Sequence, residues 1–229
     1  MRDPYVYKDS DVLINKENIK DADQLDEFEN RMTTLALIDL FKGSIRIKSS
    51  RDVFKLHKRL FEYVYDWAGK PRTVDIYKEE PIINGKSVEY ERHHNIIKAL
   101  DDLDRQYFNQ EWKSFAKEDF IHVFTRMISD IWRIHPFREG NTRAVSTFAL
   151  MFLRQYGYGL NAQLISQHAK YFRNALVMAS LGQYSEYQYV QNIMIDAVSS
   201  RSEKPQEDKY RKIKDYHVDH YEHTYHKAK

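Results

Sequence analysis

The residues best able to do chemistry lie in one short stretch near the middle of the chain, which reads HPFREGNTR from His135 to Arg143. Gly140 and Asn141 are typical of a turn, and the apolar run after Arg143 predicts the opening of a buried helix. A helix N-terminus carries backbone N–H groups without intrahelical partners and the positive end of the helix dipole. The stretch therefore predicts a site for an anion such as a phosphate.

Side chains within this stretch add the groups that a bound nucleotide needs. Arg143 offers a cationic fork and Thr142 a hydroxyl, and both can donate hydrogen bonds to phosphate oxygens. Glu139 suits an anion site when a cation such as Mg²⁺ joins its carboxylate to the phosphates. His135 is then a candidate general base beside the bound group. Together these residue types indicate a nucleotide-handling site.

The same stretch resembles the signature of the Fic family, His-x-Phe-x-(Asp/Glu)-Gly-Asn-x-Arg, and fits it at every required position. The resemblance covers about residues 1–200 and includes the run LHKRLFEYVYDWAGKPRTVDI. It implies an all-α, Fic/Fido-like helical bundle with a central buried helix after the loop and one small β-hairpin flap. It also implies transfer of AMP from ATP to a hydroxyl side chain of a target protein, with pyrophosphate leaving.

Within this resemblance each residue has an expected role. His135 is the expected general base, and Glu139 is expected to hold Mg²⁺ against the phosphates of ATP. Backbone N–H groups and the Asn141 amide are expected to donate to phosphate oxygens, and Arg143 to pair with the β-phosphate. The full set of expected nucleotide-binding residues is Lys78, Glu79, Arg138, Gly140, Asn141, Thr142 and Arg143.

Two positions depart from the family pattern. Thr142 stands where many members carry glycine, and its Cβ narrows the approach of the backbone to a phosphate. Ser146 stands where active relatives place a second arginine that grips the γ-phosphate, and Arg133 and Arg154 are the cations considered as substitutes. Three alternatives therefore stay open: a phosphotransferase of the related Doc type, a catalytically weak nucleotide- or protein-binding module, and a metal-dependent phosphodiester hydrolase.

Family members are commonly inhibited by a helix that carries Ser/Thr-x-x-x-Glu followed by Gly or Asn. The Ser-x-x-x-Glu spacing occurs here at Ser87–Glu91, Ser114–Glu118 and Ser199–Glu203, and in each case a different residue type follows. We therefore expect that a separate small antitoxin supplies the inhibitory helix, or that this control is absent.

The periodicity of apolar residues predicts seven helices that position the stretch. They are expected at Asp21–Leu40, Asp52–Trp67, Asn95–Phe108, Lys117–Trp132, Arg143–Tyr156, Asn161–Gly182 and Tyr184–Ser199. Residues 72–90 change character, and the Asn84-Gly85 pair between β-prone runs predicts a hairpin. Such a hairpin suits the docking of an extended segment of the target protein by strand addition.

Bulk composition excludes several other classes of protein. The 229 residues contain no cysteine, which excludes disulfides and thiolate metal sites and favours the cytoplasm. The sequence has no run long and apolar enough for a membrane helix, so no membrane insertion is expected. The formal net charge is only +2, so no direct nucleic-acid binding is expected. Residues 1–200 are expected to form the catalytic domain, and residues 201–229 a charged extension whose recurring histidines have no accompanying ligand set.

Overall fold

The computed structural model describes residues 3–43, 45–161, 164–165 and 168–200, and the side chains of these residues up to 198. The chain in these ranges is mainly helical, as predicted, and the C-terminal extension lies outside them. The helices are α1 Ala22–Lys42, α2 Asp52–Phe61, α3 Ile96–Leu103, α4 Lys117–Ile134, α5 Asn141–Gln155, α6 Ala169–Met178 and α7 Gln188–Ala197. None of these helices is long and apolar enough to cross a membrane.

Helix α5 is the buried centre of the bundle, as the sequence predicts. It packs against α2 and α4, and its Phe148 and Phe152 side chains are fully buried. Apolar residues fill nearly every turn of the helix, so it has neighbours on all sides rather than on one stripe. Because α5 is fixed along its length, its N-terminus and the preceding loop are also fixed.

Most helix boundaries agree with the pattern of the sequence. The carboxylate of Asp21 accepts the N–H of Gln24 at 2.9 Å and caps α1. Helix α3 continues as a π-helix over Asp104–Phe108, so the helical segment ends at Phe108, as predicted. Helix α2 is shorter than predicted and ends at Phe61, because the chain then turns so that Val64 packs in the core.

The hairpin predicted in residues 72–90 is present, but it is short and irregular. The two extended arms share one isolated antiparallel bridge, Glu80 with Lys86, around a short 3₁₀ turn at Pro81–Ile83. The Lys78 N–H donates to the hydroxyl of Ser87 at 3.2 Å, so a side chain replaces the next bond of a ladder. We call residues 72–92 the flap.

The regular strands lie elsewhere, where the sequence predicted the end of a helix. Strand β1, Tyr158–Leu160, pairs antiparallel with strand β2, Val198–Ser200. Gly157, at a φ of +86°, ends α5 and lets the chain leave in an extended direction. The backbone N–H and C=O groups of an extended segment need hydrogen-bond partners. The residues after α7 supply these partners by pairing with β1 as a strand.

One buried arginine joins both arms of the flap to the rest of the fold. Arg72 is 2% exposed, and its Nε donates to the carbonyl of His135 at 2.8 Å. Its terminal nitrogens donate to the carbonyls of Val74, at 2.7 Å, and Glu91. One guanidinium therefore joins both arms of the flap to the loop after α4.

Replacement of Arg72 by lysine should lower the free energy of unfolding by about 3 kcal/mol, because an ammonium cannot reach all three carbonyls and leaves buried acceptors unpaired. Chemical denaturation measures this change. Arg92→Lys is the matched control, since the Arg92 side chain is 70% exposed in the same flap, and we expect a change within about 0.5 kcal/mol. Equal effects of the two substitutions would contradict the role assigned to Arg72.

Candidate functional site

The loop between α4 and α5 is closed by one side chain. Asn141 is 2% exposed, and its Oδ1 accepts the Phe137 N–H at 2.9 Å while its Nδ2 donates to the Phe137 carbonyl at 2.8 Å. Both backbone groups of Phe137 are thus satisfied by a single amide. The loop consequently keeps one shape without regular secondary structure.

An aromatic stack forms the floor beneath this loop. Phe137 is fully buried, as predicted. The centre of its ring lies 3.7 Å from the centre of the His57 ring, which lies 4.5 Å from the centre of the Phe61 ring. His57 also accepts the Gly69 N–H at Nδ1 and donates from Nε2 to the Glu139 carbonyl at 3.0 Å. Burial lowers the pKa of His57 to about 3, so this histidine stays neutral and serves as a structural bridge.

Gly140 must be glycine for two separate reasons. Its φ is +80°, in the left-handed region, and it precedes the first residue of α5. A Cβ at this position would lie 2.4 Å from Cζ of Phe61. The loop therefore lies directly on the aromatic floor, and the first N–H groups of α5 have no partners within the helix.

His135 is held in the form that a general base requires. It is 1% exposed, has a φ of +50° at the end of α4, and places Nδ1 3.1 Å from the Trp132 carbonyl. A carbonyl can only accept, so Nδ1 carries the proton and Nε2 has a free lone pair. Nε2 is buried and has no hydrogen-bond partner among the described residues.

The surroundings of His135 keep its ring neutral. Burial lowers the pKa of His135 well below its ordinary value, and the positive charges of Lys78 and Arg173 lower it further. The ring of Tyr90, from the flap, lies 4.1 Å from the imidazole ring and covers it. A free Nε2 lone pair is therefore present throughout the physiological pH range.

Glu139 presents an ionised carboxylate at the mouth of the loop. Its Oε1 accepts the Gly140 N–H at 2.9 Å, and its Oε2 accepts from Lys78 Nζ at 3.0 Å. Burial alone would raise the pKa of Glu139, but the charge of Lys78, the Gly140 N–H and the charge of Arg143 together hold it below its ordinary value. The side chain is 36% exposed, so a ligand can reach it.

The carboxylate of Glu139 fits a magnesium ion bound together with a nucleotide. Mg²⁺ is commonly held by one or two carboxylates, with phosphate and water oxygens completing its shell. No cluster of three metal-ligating side chains occurs among the residues that the structure describes, so a metal held by protein ligands alone does not fit. Lys78 neutralises the charge of Glu139 across a 3.0 Å ion pair.

Arg143 and Thr142 also have partners. Arg143 Nη2 pairs with the buried carboxylate of Glu29 on α1, and its guanidinium lies 4.9 Å from the centre of the Phe61 ring. Thr142 Oγ1 accepts the indole N–H of Trp132 at 3.0 Å, which leaves its own hydroxyl hydrogen free to donate. Thr142 lies within α5, so its Cβ causes no backbone strain.

Three of the predicted residues have side chains whose contacts or exposure differ from the expected role. The amide of Asn141 is committed to Phe137, so only its backbone N–H can serve a phosphate. Arg138 Nε pairs with Asp3 at 2.7 Å and ties the N-terminal segment to the loop. The side chain of Glu79 is exposed, whereas its neighbour Glu80 is buried and pairs with Arg173 at 2.6 Å.

Neither proposed substitute for the second family arginine is secured by a contact with the loop. Arg154 Nη1 donates to the Phe41 carbonyl at the far end of α1. Arg133 lines the cleft between the flap arms, and Ser146 is half-buried on α5. Arg173 on α6 is a cation near the site that was not predicted from the sequence. Its positive charge lowers the pKa of His135.

Three further residues that shape the site were not predicted from the sequence: His57, Glu29 and Tyr90. His57 and Glu29 occupy the apolar faces of α2 and α1, where a polar side chain must find a buried partner. That position was the available signal. Tyr90 gives no comparable signal, because its place beside His135 depends on how the flap folds back.

Comparison with known proteins agrees with this geometry. A model of the Fic/DOC family matches residues 48–153, which include the loop and most of α5. The chain is 32% identical over 186 residues to the probable protein adenylyltransferase y4lH of Sinorhizobium fredii, and the match covers 80% of this chain and 90% of that protein. The chain belongs to the Fic/DOC family.

A second relative is longer than this chain. The protein adenylyltransferase VbhT of Bartonella schoenbuchensis is 27% identical over 211 residues, which are 88% of this chain and 43% of VbhT. The chain therefore spans less than half of that protein.

Solved structures share the fold. A Fic domain of a Bartonella effector protein from Bartonella sp. AR 15-3 superimposes with a TM-score of 0.75 at 22% identity and covers 90% of this chain and 94% of that one. BepC of Bartonella tribocorum, solved with bound AMPPNP, gives a TM-score of 0.71 at 21% identity and covers 86% and 97%. These likenesses show a shared helical architecture.

Gly140→Ala should lower the free energy of unfolding by about 2–5 kcal/mol, through the strain of a positive φ and the clash with Phe61. Gly85→Ala is the matched control, because Gly85 has a φ of +76° and nothing within 4 Å of an added Cβ. It should cost only about 1–2 kcal/mol. Urea denaturation of both variants separates strain from packing, and equal costs would show that the loop does not rest on Phe61.

Proposed function

We propose that this protein is an adenylyltransferase that moves AMP from ATP to a hydroxyl side chain of another protein. The proposal rests on the Nε2 atom of His135, which is buried and has no hydrogen-bond partner among the described residues. The Trp132 carbonyl accepts from Nδ1 and so fixes the tautomer of this histidine. The loop that follows His135 leads directly to the N-terminus of α5, which is suited to phosphates. The names of the relatives y4lH and VbhT support the same activity.

The reaction assigns one task to each group of the loop. The target hydroxyl oxygen attacks the α-phosphorus of ATP, its proton passes to His135 Nε2, and the bond to pyrophosphate breaks. Arg143 and the free N–H groups of the first turn of α5 stabilise the negative charge on the phosphates. A magnesium ion held by Glu139 would supply further neutralisation of the leaving pyrophosphate.

Lys78 has a task beside Glu139 in this scheme. Its Nζ lies 3.0 Å from Glu139 Oε2. If Glu139 held a magnesium ion, its carboxylate would supply negative charge to the cation, and the Lys78 ammonium would be available to pair with a phosphate. The opposite charges of the two side chains would thus match a cation and a polyanion, which lowers the cost of bringing both to a partly buried site.

The target protein is proposed to dock at the flap. The two arms diverge beyond the Glu80–Lys86 bridge and leave a cleft lined by residues 75–77, residues 87–92 and Arg133. Extended arms without a full ladder leave backbone groups available to a third extended segment. Tyr90 lines this cleft and also covers His135, so a docked segment would lie close to the base.

His135→Ala should lower the rate of AMP transfer by about 10²–10⁴-fold, because the target hydroxyl loses its general base. The assay incubates the protein with lysate and ATP labelled at the α-phosphate, and follows labelled protein bands. His122→Ala is the control, since His122 is an exposed histidine on α4, and its rate should match the wild type. Transfer of a γ-label instead would identify the Doc-type phosphotransferase and contradict the proposal.

Glu139→Gln should raise the Mg²⁺ concentration needed for half-maximal rate by at least roughly tenfold, because the amide is a poorer ligand for a hard cation. Titration of Mg²⁺ after removal of divalent ions with a chelator measures this concentration. Glu118→Gln, at an exposed position on α4, is the control. An unchanged magnesium requirement in Glu139→Gln would remove Glu139 from the metal site.

A further inference from the structure

The partner of Arg143 is an unusual residue for its position. Glu29 lies on α1 with a relative exposure of 5%, among residues that form the apolar face of that helix. Its Oε1 pairs with Arg143 Nη2, and its Oε2 accepts the hydroxyl of Tyr65 at 2.5 Å. Both carboxylate oxygens are therefore used, and the carboxylate is fixed between α1, α5 and the segment after α2.

This contact satisfies one of the two terminal nitrogens of Arg143. Glu29 holds Nη2 on one edge of the guanidinium, and the Phe61 ring packs against its face at 4.9 Å. Nη1 is buried and has no hydrogen-bond partner among the described residues. A buried donor without a partner is costly, so its persistence here needs an explanation.

The free edge belongs to a residue in the first turn of α5. Arg143 is the third residue of that helix, so it lies at the helix N-terminus that suits a phosphate. A guanidinium fixed on one edge presents the remaining N–H groups in one direction, which suits bidentate recognition of a phosphate.

We infer that Glu29 is a positioning residue that fixes the Arg143 guanidinium so that its unpartnered edge meets a phosphate of the nucleotide. The inference rests on the proposed function, because it assigns that phosphate to ATP. Arginine has large rotamer freedom when it is not held. Glu29 removes that freedom before ATP arrives, and therefore ATP does not have to order the side chain.

The alternative role for Glu29 predicts the opposite change in ATP affinity when its carboxylate is removed. A carboxylate that merely competed with phosphate for Arg143 would weaken ATP binding, so its removal would tighten binding. Removal of a positioning carboxylate weakens binding, even though the net positive charge near the phosphates increases. The sign of the change therefore distinguishes the two roles.

Glu29→Met tests the inference, because methionine has a similar length, favours helices and tolerates burial but cannot accept from Arg143. We expect the Kd for ATP with Mg²⁺, measured by calorimetry, to rise about tenfold. Glu29→Gln keeps an acceptor oxygen without the charge and should restore part of the affinity. Tyr65→Phe, which removes the other bond to Glu29, should change the Kd less than about twofold.

A double-mutant comparison excludes a general structural effect. In an Arg143→Ala background, Glu29→Met should cause no additional loss of ATP affinity or of AMP transfer, because Glu29 acts only through Arg143. Additive losses would show that Glu29 serves the stability of the fold and would overturn the inference. Tighter ATP binding by Glu29→Met would overturn it as well.

A readout without nucleotide separates this inference from the proposed function. In NMR spectra of the ligand-free protein, a fixed Arg143 should give separate Nη1 and Nη2 signals that merge in Glu29→Met. Merged signals in the wild type would overturn the inference whatever the activity. Separate signals in a wild type that transfers no AMP would overturn the proposed function and leave the fixing of Arg143 established.

Discussion

The two hydrogen bonds between the Asn141 side chain and the Phe137 backbone are the constraint on which the rest of the site depends. They close the loop over a buried ring, and this places His135 at one end and Gly140 at the other in left-handed conformations. The loop then joins the histidine to the N-terminus of α5. A single amide thus sets the position of the proposed base relative to the proposed anion-binding groups.

The site is almost neutral because its charged side chains are paired. Lys78 pairs with Glu139, Arg143 with Glu29, and Arg138 with Asp3. Pairing lowers the cost of holding these charges in a half-buried cleft. In the proposed reaction, ATP and a cation would exchange with some of these partners, whereas the buried Glu29 is also held by Tyr65 and is the least exchangeable of them.

Local signals in the sequence were enough to predict the helices and the loop. Apolar periodicity predicted α1, α4 and the buried α5, and the Gly140-Asn141 turn predicted the helix start. The flap was predicted as a hairpin from Asn84-Gly85, and this turn does form with positive φ at both residues. The ladder does not extend, because the Ser87 hydroxyl takes the Lys78 N–H, and a side-chain bond of this kind has no signature in the sequence.

Contacts between distant segments explain what the sequence could not predict. The roles of Arg72, His57 and Glu29 depend on partners that lie far away along the chain, at 63, 82 and 114 residues. The family pattern suggested that the Asn141 amide would bind phosphate, but packing assigns it to the backbone of Phe137. Residue types predicted the chemistry of the loop, and only tertiary structure shows which atoms remain free to perform it.

The central claim is that His135 is neutral, carries its proton on Nδ1 and keeps Nε2 free. Nitrogen-15 NMR of the histidine-labelled protein measures this state directly, with His135→Ala used to assign the signals. We predict a protonated Nδ1 and an unprotonated Nε2 whose shifts stay constant as the pH falls through about 6.5, the ordinary pKa of histidine. A proton on Nε2, or a titration near that pH, would contradict the account.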